Sequence, residues 1–407
     1  MTFTRKSADL VPIVDTVFSI VELAKKDKEQ NGEDMVIDAT IGSLYDEEGK
    51  LVAFDNVFEH YDDIDKITKA KYAASFTGNP NYRQDVFDWV CEDKIKLAHS
   101  TIATIGGTGA VSMTVSNILD KGQTLIIPDI AWGSYKLMAA QFELSCVQYE
   151  MFDDHNQFNM ASFKETILAT MQKQDKILVI INDPCHNPTG ASLTNEQWQE
   201  IIHFANECSK QVPFVILNDI AYIDYAYDLL NSRDYMQNFN AISNNVLINI
   251  AFSCSKTLTS YGLRCGACII LAKDAKAVRE TEIVFEKSAR AIWSNIPNAA
   301  MVNFSWLTTQ NKQSFLAEKQ RYIDLLKQRA DIFIKEANQC DLPIYPYKEG
   351  FFITIKMSDN ATRDQYHQKL MDNHIYTVCV NKGIRVAICS LSLAKTKGLA
   401  SKMKALL

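Results

Sequence analysis

The chain has 407 residues, 47% hydrophobic and 22% charged, with 42 basic and 49 acidic side chains and a formal charge of -7. That length can bury a large core without disulfides or metal, and 20 Phe, 16 Tyr and 5 Trp exclude a solvated coil. The acidic balance argues against a nucleic-acid partner, and no apolar run approaches the about 20 residues of a membrane helix.

In chain order, Ser7–Lys26 reads as a first helix, and Asp9 and Asp15 interrupt its apolar stretch, so no secretory leader is expected. Gly106-Gly107-Thr108-Gly109 precedes Ala110–Leu119, which reads as a helix; glycines there would let backbone N–H groups approach an anion. Short apolar runs follow at 124–128, 176–183, 214–219, 246–253 and 265–272, with helical patterns between them. The clearest helix is 194–210, where Trp198, Ile201, Ile202 and Ala205 recur at helical spacing behind a Thr194/Gln197 capping box. This alternation predicts an α/β fold, a mostly parallel sheet covered on both faces. Residues 307–340 read as one long charged helix. Strands are expected at 350–356 and 384–389, with helices at 363–373 and 391–407, a smaller α+β unit. The boundaries expected are 45–305 for the large unit, and 1–44 with 306–407 for the small one.

Ligands of such sheets bind beyond the carboxyl ends of the strands. The polar residues there are Asn187 after one strand, Asp219 and Tyr222 after the next, and Ser253, Ser255 and Lys256 after a third. A lysine flanked by hydroxyls, with Arg264 eight residues on, fits a site for a phosphate joined to a group that the lysine attacks. Asp219 at the end of an apolar strand needs a positive or donor partner. Of the ten cysteines, several sit in apolar runs (Cys254, Cys265, Cys268, Cys379, Cys389) and read as buried thiols of a reducing cytoplasm. Cys265 and Cys268 form a CxxC with no second ligand pair, so no metal is expected.

Four motifs, Gly106-Gly107-Thr108-Gly109, His186-Asn187-Pro188-Thr189-Gly190, Asn218-Asp219-x-Ala221-Tyr222, and Ser253-x-Ser255-Lys256 with Arg264-x-Gly266, together resemble the pyridoxal-phosphate aminotransferases of fold type I. The aspartate and aromatic amino acid enzymes are the nearest in pattern. The resemblance covers about Gly42 to Arg385 and implies a seven-stranded-type sheet, pyridoxal 5'-phosphate as cofactor, and amino acid and 2-oxo acid substrates. It also implies a homodimer with shared sites; the cysteine usage, the acidic charge and the short apolar runs lead to the expectation of a cytoplasmic protein with neither nucleic acid nor membrane as partner. By motif, Lys256 resembles the lysine that binds the cofactor and shuttles a proton, and Asp219 the acid at the ring nitrogen. Asn187 and Tyr222 resemble donors to the ring hydroxyl oxygen, Tyr222 being counted with the catalytic set. Gly107, Thr108, Ser253, Ser255 and Arg264 resemble the phosphate cradle, and Trp132 the aromatic stacked on the ring. Gly42, Asn187 and Arg385 resemble the substrate site, with Arg385 on the α-carboxylate. Arg290 resembles an arginine that reaches a side-chain carboxylate in the neighbouring subunit.

Two positions depart from the family pattern: Tyr135 stands where a histidine commonly supports the aspartate, and Tyr72, the candidate for a tyrosine crossing to the other subunit's phosphate, is spaced one residue off. Competing expectations with the same cofactor are a C–S β-lyase, which the sequence does not separate from a transaminase, and a non-catalytic regulator, which the acidic charge disfavours.

Overall fold

Along the central apolar runs every second side chain belongs to one of two cores, which requires a sheet with both faces covered. The computed structural model, which describes residues 3–5, 7–12 and 16–407, has that architecture. A short strand, β1 (Ile37–Asp38), is followed by β2 (Ala98–Thr104), β3 (Thr124–Pro128), β4 (Ser145–Tyr149), β5 (Ile177–Asn182), β6 (Phe214–Asp219), β7 (Val246–Ser253) and β8 (Gly266–Ala272). These last seven form one sheet in the order β2-β8-β7-β6-β5-β3-β4. The pairs from β7 to β4 are parallel, and β8 runs antiparallel to both β7 and β2.

Ile177, Val179, Ile216, Ile248 and Ile250 face one core with Trp198, Ile201 and Ile202 of the helix Asn195–Cys208. Leu178, Ile180, Val215, Leu217 and Ile270 face the other, with Val111 and Val115 of the helix Gly106–Ile118 and Phe285 of Ala275–Ile292. A second sheet joins β9 (Phe352–Lys356), β11 (Val378–Val380) and β12 (Gly383–Ala387), while β10 (Ile375–Tyr376) pairs in parallel with β1. The first core continues into this region through Phe333, Ile353 and Ile384.

The five expected strands of the large sheet are present to within a residue, and the capping box closes as Gln197 N–H on Thr194 Oγ1 at 3.2 Å and Thr194 N–H on Gln197 Oε1 at 2.9 Å. Two strands, β2 and β4, were not legible: β2 carries His99, Ser100 and Thr101, and β4 is a part-exposed edge strand that mixes polar and apolar residues. The first helix begins at Thr16 rather than Ser7, residues 13–15 of the expected span lying outside the described residues. Pro12 disfavours helical backbone at Val11, whose N–H turns instead onto Asp9 Oδ1 at 2.9 Å. The expected helix 307–340 is two helices, Asn298–Thr309 and Lys312–Gln339. The Thr308 and Thr309 hydroxyls donate back to Phe304 O and Ser305 O, and the amides of Gln310 and Asn311 both close on Trp306 O, ending the first helix. The C-terminal span breaks at Gly398, in the left-handed region at φ 76°, between Leu393–Thr396 and Leu399–Leu406.

Trp198 is fully buried, stacks on Tyr235 at 5.1 Å and donates Nε1–H to Asp183 Oδ2 at 2.7 Å. Trp198→Ala is expected to cost about 4 kcal/mol by combining a cavity with a lost donor; urea unfolding measures it, and a loss below about 1 kcal/mol contradicts this packing.

Candidate active site

Strands β5, β6 and β7 are parallel neighbours, with Asn182 opposite Asp219 and Asp219 opposite Ala251, so their carboxyl ends open on one crevice. The Asn182 side chain ties two of them, its amide donating to Asp219 O at 2.7 Å and its carbonyl accepting from Asn187 N–H at 2.7 Å. Both hydrogen bonds are buried, so the turn that carries Asn187 is fixed relative to β6.

Lys256 lies three residues past the end of β7, on the single turn Cys254–Thr257. Its amine donates to Gly42 O at 2.6 Å and sits 5.3, 4.8 and 5.9 Å from the ring centres of Tyr222, Tyr261 and Phe351. No carboxylate among the described residues pairs with it. Burial pushes its pKa down to about 8, and the Arg385 and Arg264 charges act in the same direction. The turn itself is anchored from below: Tyr225 OH donates to Lys256 O at 3.1 Å, and Thr257 Oγ1 donates to Asp224 Oδ2 at 2.6 Å.

Asp219 is buried and accepts the Tyr135 hydroxyl at 2.6 Å on Oδ2 and the Ala221 N–H at 3.1 Å on Oδ1. Burial raises its pKa, and these two neutral donors oppose the rise. No cation among the described residues forms an ion pair with it. Tyr135, where the sequence showed only a departure from the family pattern, therefore supplies the support itself. Burial raises its own pKa well above the ordinary value, so it stays a neutral donor. Its ring also meets Trp132 edge-on at 5.4 Å.

Glycine lets a helix start close to the sheet. The helix Gly106–Ile118 begins on the glycines themselves rather than after them. A Cβ at Gly266 would lie 2.5 Å from Gly106 C, and one at Gly107 would lie 3.0 Å from Ser253 Cβ. The first turn thus packs closely against Ser253 and the Arg264 guanidinium, with Thr108 exposed on it. Arg264 is in the left-handed region at φ 51°, and its guanidinium donates to Ser255 Oγ at 3.2 Å and Tyr261 O at 2.8 Å.

Arg385, on β12, is buried over the Phe352 ring at 4.4 Å. It donates to Thr40 O at 2.8 Å and Asn187 Oδ1 at 3.4 Å, while its Nε–H is buried with no partner among the described residues. A buried, unsatisfied guanidinium donor is costly unless an acceptor arrives. Gly42 lies beside this group; a Cβ there would sit 3.1 Å from Phe352 and 3.9 Å from Tyr222 OH. Asn187, Arg385 and Trp132 line one cleft of about 560 Å³, together with Lys136 and Arg363. Arg290 stands apart, exposed, with Phe76 at 4.5 Å and Ser294 Oγ at 2.5 Å. Sequence reasoning missed Tyr135 as a partner of Asp219, Tyr261 beside the amine, and Phe352 under Arg385; all three are aromatics indistinguishable by pattern from core residues.

The model of the family described as aminotransferase class I and II matches residues 34–403. Among curated proteins, the mitochondrial aspartate aminotransferase of Schizosaccharomyces pombe is 26% identical over 297 residues, 70% of this chain and 63% of that protein. The aromatic-amino-acid aminotransferase of Paracoccus denitrificans is 29% identical over 213 residues, 52% of each. The chain thus spans between half and two thirds of these relatives' lengths. Among solved structures, an aminotransferase from Anaerococcus prevotii superposes with a TM-score of 0.96 at 33% identity, covering 100% of this chain and 99% of that one. The aromatic-amino-acid aminotransferase of Burkholderia pseudomallei, covalently bound to pyridoxal phosphate, shares the fold with a TM-score of 0.78 at 19% identity, covering 99% of each chain.

The desolvated amine gives a direct test. After ¹³C reductive methylation, the NMR signal that vanishes in Lys256→Met is expected to titrate near pH 8, charged below and neutral above. Titration at the ordinary lysine value of about 10.4 contradicts the burial of Lys256.

Proposed function

The chain belongs to the class I and II aminotransferase family, and on that footing we propose that it moves an amino group between an L-amino acid and a 2-oxo acid, using pyridoxal 5'-phosphate. The aspartate/glutamate and aromatic classes are the proposed amino acids, following the names of its relatives. The observation that carries the reading is a half-buried lysine amine and a buried carboxylate at neighbouring strand ends, Lys256 and Asp219, neither of which has an ion-pair partner among the described residues.

The residues fit the cofactor. Asp219, held by two neutral donors, has acceptor capacity for a ring N–H. Trp132 would cover one ring face, and Asn187 and Tyr222 would donate to the ring hydroxyl oxygen. The Gly107 and Thr108 amides, Ser253, Ser255 and Arg264 would hold the phosphate, at the start of a 13-residue helix. Lys256 would hold the cofactor covalently. Bound there, pyridoxal phosphate supplies a conjugated ring that accepts the electron pair released when the Cα–H bond breaks.

The chain's own residues supply the rest. The Arg385 fork, with Nε–H free, takes the substrate α-carboxylate beside Asn187 and so fixes the Cα. Lys256 Nζ, with its pKa near 8, takes the Cα proton when neutral and returns it when charged. Gly42 O, 2.6 Å from that amine, orients it. We further propose a cytoplasmic homodimer in which Arg290 serves the neighbouring site. Ile67, Tyr72, Phe76 and Ile292 are exposed apolar residues, and Phe76 lies against Arg290 itself, which fits a surface covered by a second copy.

A panel of L-amino acids with 2-oxoglutarate, assayed for glutamate, tests the reaction. Transfer from aspartate or an aromatic amino acid is expected, and Lys256→Ala is expected to lose the visible band of bound cofactor and about 10³-fold or more of the rate. Release of pyruvate and thiol from cysteine conjugates without glutamate formation contradicts transamination. Tyr135→Phe is expected to raise the cofactor dissociation constant about 10- to 100-fold, the cost of removing one donor from a buried carboxylate. Unchanged binding contradicts the role given to Asp219.

A further inference from the structure

We infer that Thr354 is a positioning residue for the substrate carboxylate, holding Arg385 and Asn187 in one fixed relation. The inference rests on the reading of Arg385 as the carboxylate grip. Thr354 lies on β9 directly opposite Arg385 on β12, so the two side chains leave the same face of that sheet. Its hydroxyl is fully buried and donates to Pro188 O at 2.7 Å. Pro188 follows Asn187, whose side-chain oxygen accepts from Arg385 Nη1. The contacts therefore close a ring: Arg385 to Asn187 by hydrogen bond, Asn187 to Pro188 by the chain, Pro188 to Thr354 by hydrogen bond, and Thr354 back to Arg385 by strand register.

The turn cannot yield independently of Asn187. Gly190 N–H donates to His186 O at 2.7 Å and His186 N–H to Ala191 O at 2.8 Å, so residues 186–191 move as a block. The block is also pressed on the segment before β9. Lys348 and Glu349 N–H donate to Gly190 O at 2.8 and 3.0 Å, and Gly190, at φ 75°, has no room for a Cβ, which would come 2.3 Å from the Tyr347 ring. The Arg385–Asn187 contact is long at 3.4 Å and contributes little alignment by itself. The Thr354 hydroxyl is the shorter of the two links to the Arg385 sheet, and together with the Asn182 bond to Asn187 N–H it sets where Asn187 stands relative to the guanidinium. A displaced member of such a pair loses bidentate recognition of a carboxylate.

The test compares Thr354→Val, Thr354→Ala, Thr354→Ser and Arg385→Lys in the cofactor-loaded enzyme. Calorimetry measures binding of succinate and 3-phenylpropionate, two non-reacting carboxylates, alongside kcat, KM, the visible cofactor band and the thermal midpoint. Thr354→Val and Thr354→Ala are expected to weaken both carboxylates about tenfold and to raise KM by a similar factor. The cofactor band and thermal midpoint should hold, and Thr354→Ser should recover most of the binding. Wild-type carboxylate affinity in both Thr354→Val and Thr354→Ala overturns the inference. So does a loss that follows the thermal midpoint and that serine does not rescue. Arg385→Lys is expected to lose more than either; if it binds both carboxylates as wild type does, the underlying reading of Arg385 fails instead.

Discussion

The Lys256 amine and the Asp219 carboxylate are both taken out of water at adjoining strand ends, and neither is neutralised by the other or by any described residue. Burying a lone charge costs several kcal/mol even after relaxation, so the surroundings must offset it locally. At Asp219 the offset is two neutral donors, from Tyr135 and Ala221. At Lys256 it is one carbonyl and three aromatic rings, with the remaining penalty expressed as a pKa lowered to about 8. Groups left this way retain the capacity to bind a molecule that carries the complementary charges.

A second buried lysine shows the contrast. Lys319 also has its pKa pushed down to about 8 by burial, yet it lies 3.7 Å from Asp224 Oδ2 and is enclosed by Trp89, Tyr225 and Phe315. Burial alone would raise Asp224, but Lys319 and the directly paired Arg233 hold it below the usual carboxylate range. That carboxylate also accepts from Thr257, next to Lys256. The paired cluster therefore serves as the floor under the turn on which the unpaired amine stands. One lysine is neutralised to carry structure, and the other is left free at the crevice.

Much of this was legible in the residues. The runs 214–219 and 246–253 are largely apolar because both faces of their strands are covered, and they end in Asp219 and Ser253, polar residues at the crevice. Asp219, Lys256 and Arg264 stood out because each is costly at the edge of an apolar strand. What was not legible depends on tertiary context. Tyr135, Tyr261 and Phe352 look like any core aromatic until their neighbours are known. Strands β2 and β4 carry too many polar residues to announce themselves, and the break at Gln310–Asn311 comes from threonine hydroxyls competing for backbone carbonyls. Arg290 was legible as an arginine with a family counterpart, but within one chain its guanidinium lies over Phe76 and donates to Ser294 Oγ.

Which amine is available to the cofactor can be read out directly by chemistry. Borohydride reduction of the protein loaded with pyridoxal phosphate, followed by proteolysis and peptide mass mapping, fixes the cofactor to whichever lysine holds it. The added mass is expected on Lys256, in the peptide that spans the end of β7. Recovery of the label on Lys319, whose pKa burial also lowers to about 8, or on any other lysine with Lys256 unmodified, contradicts that assignment.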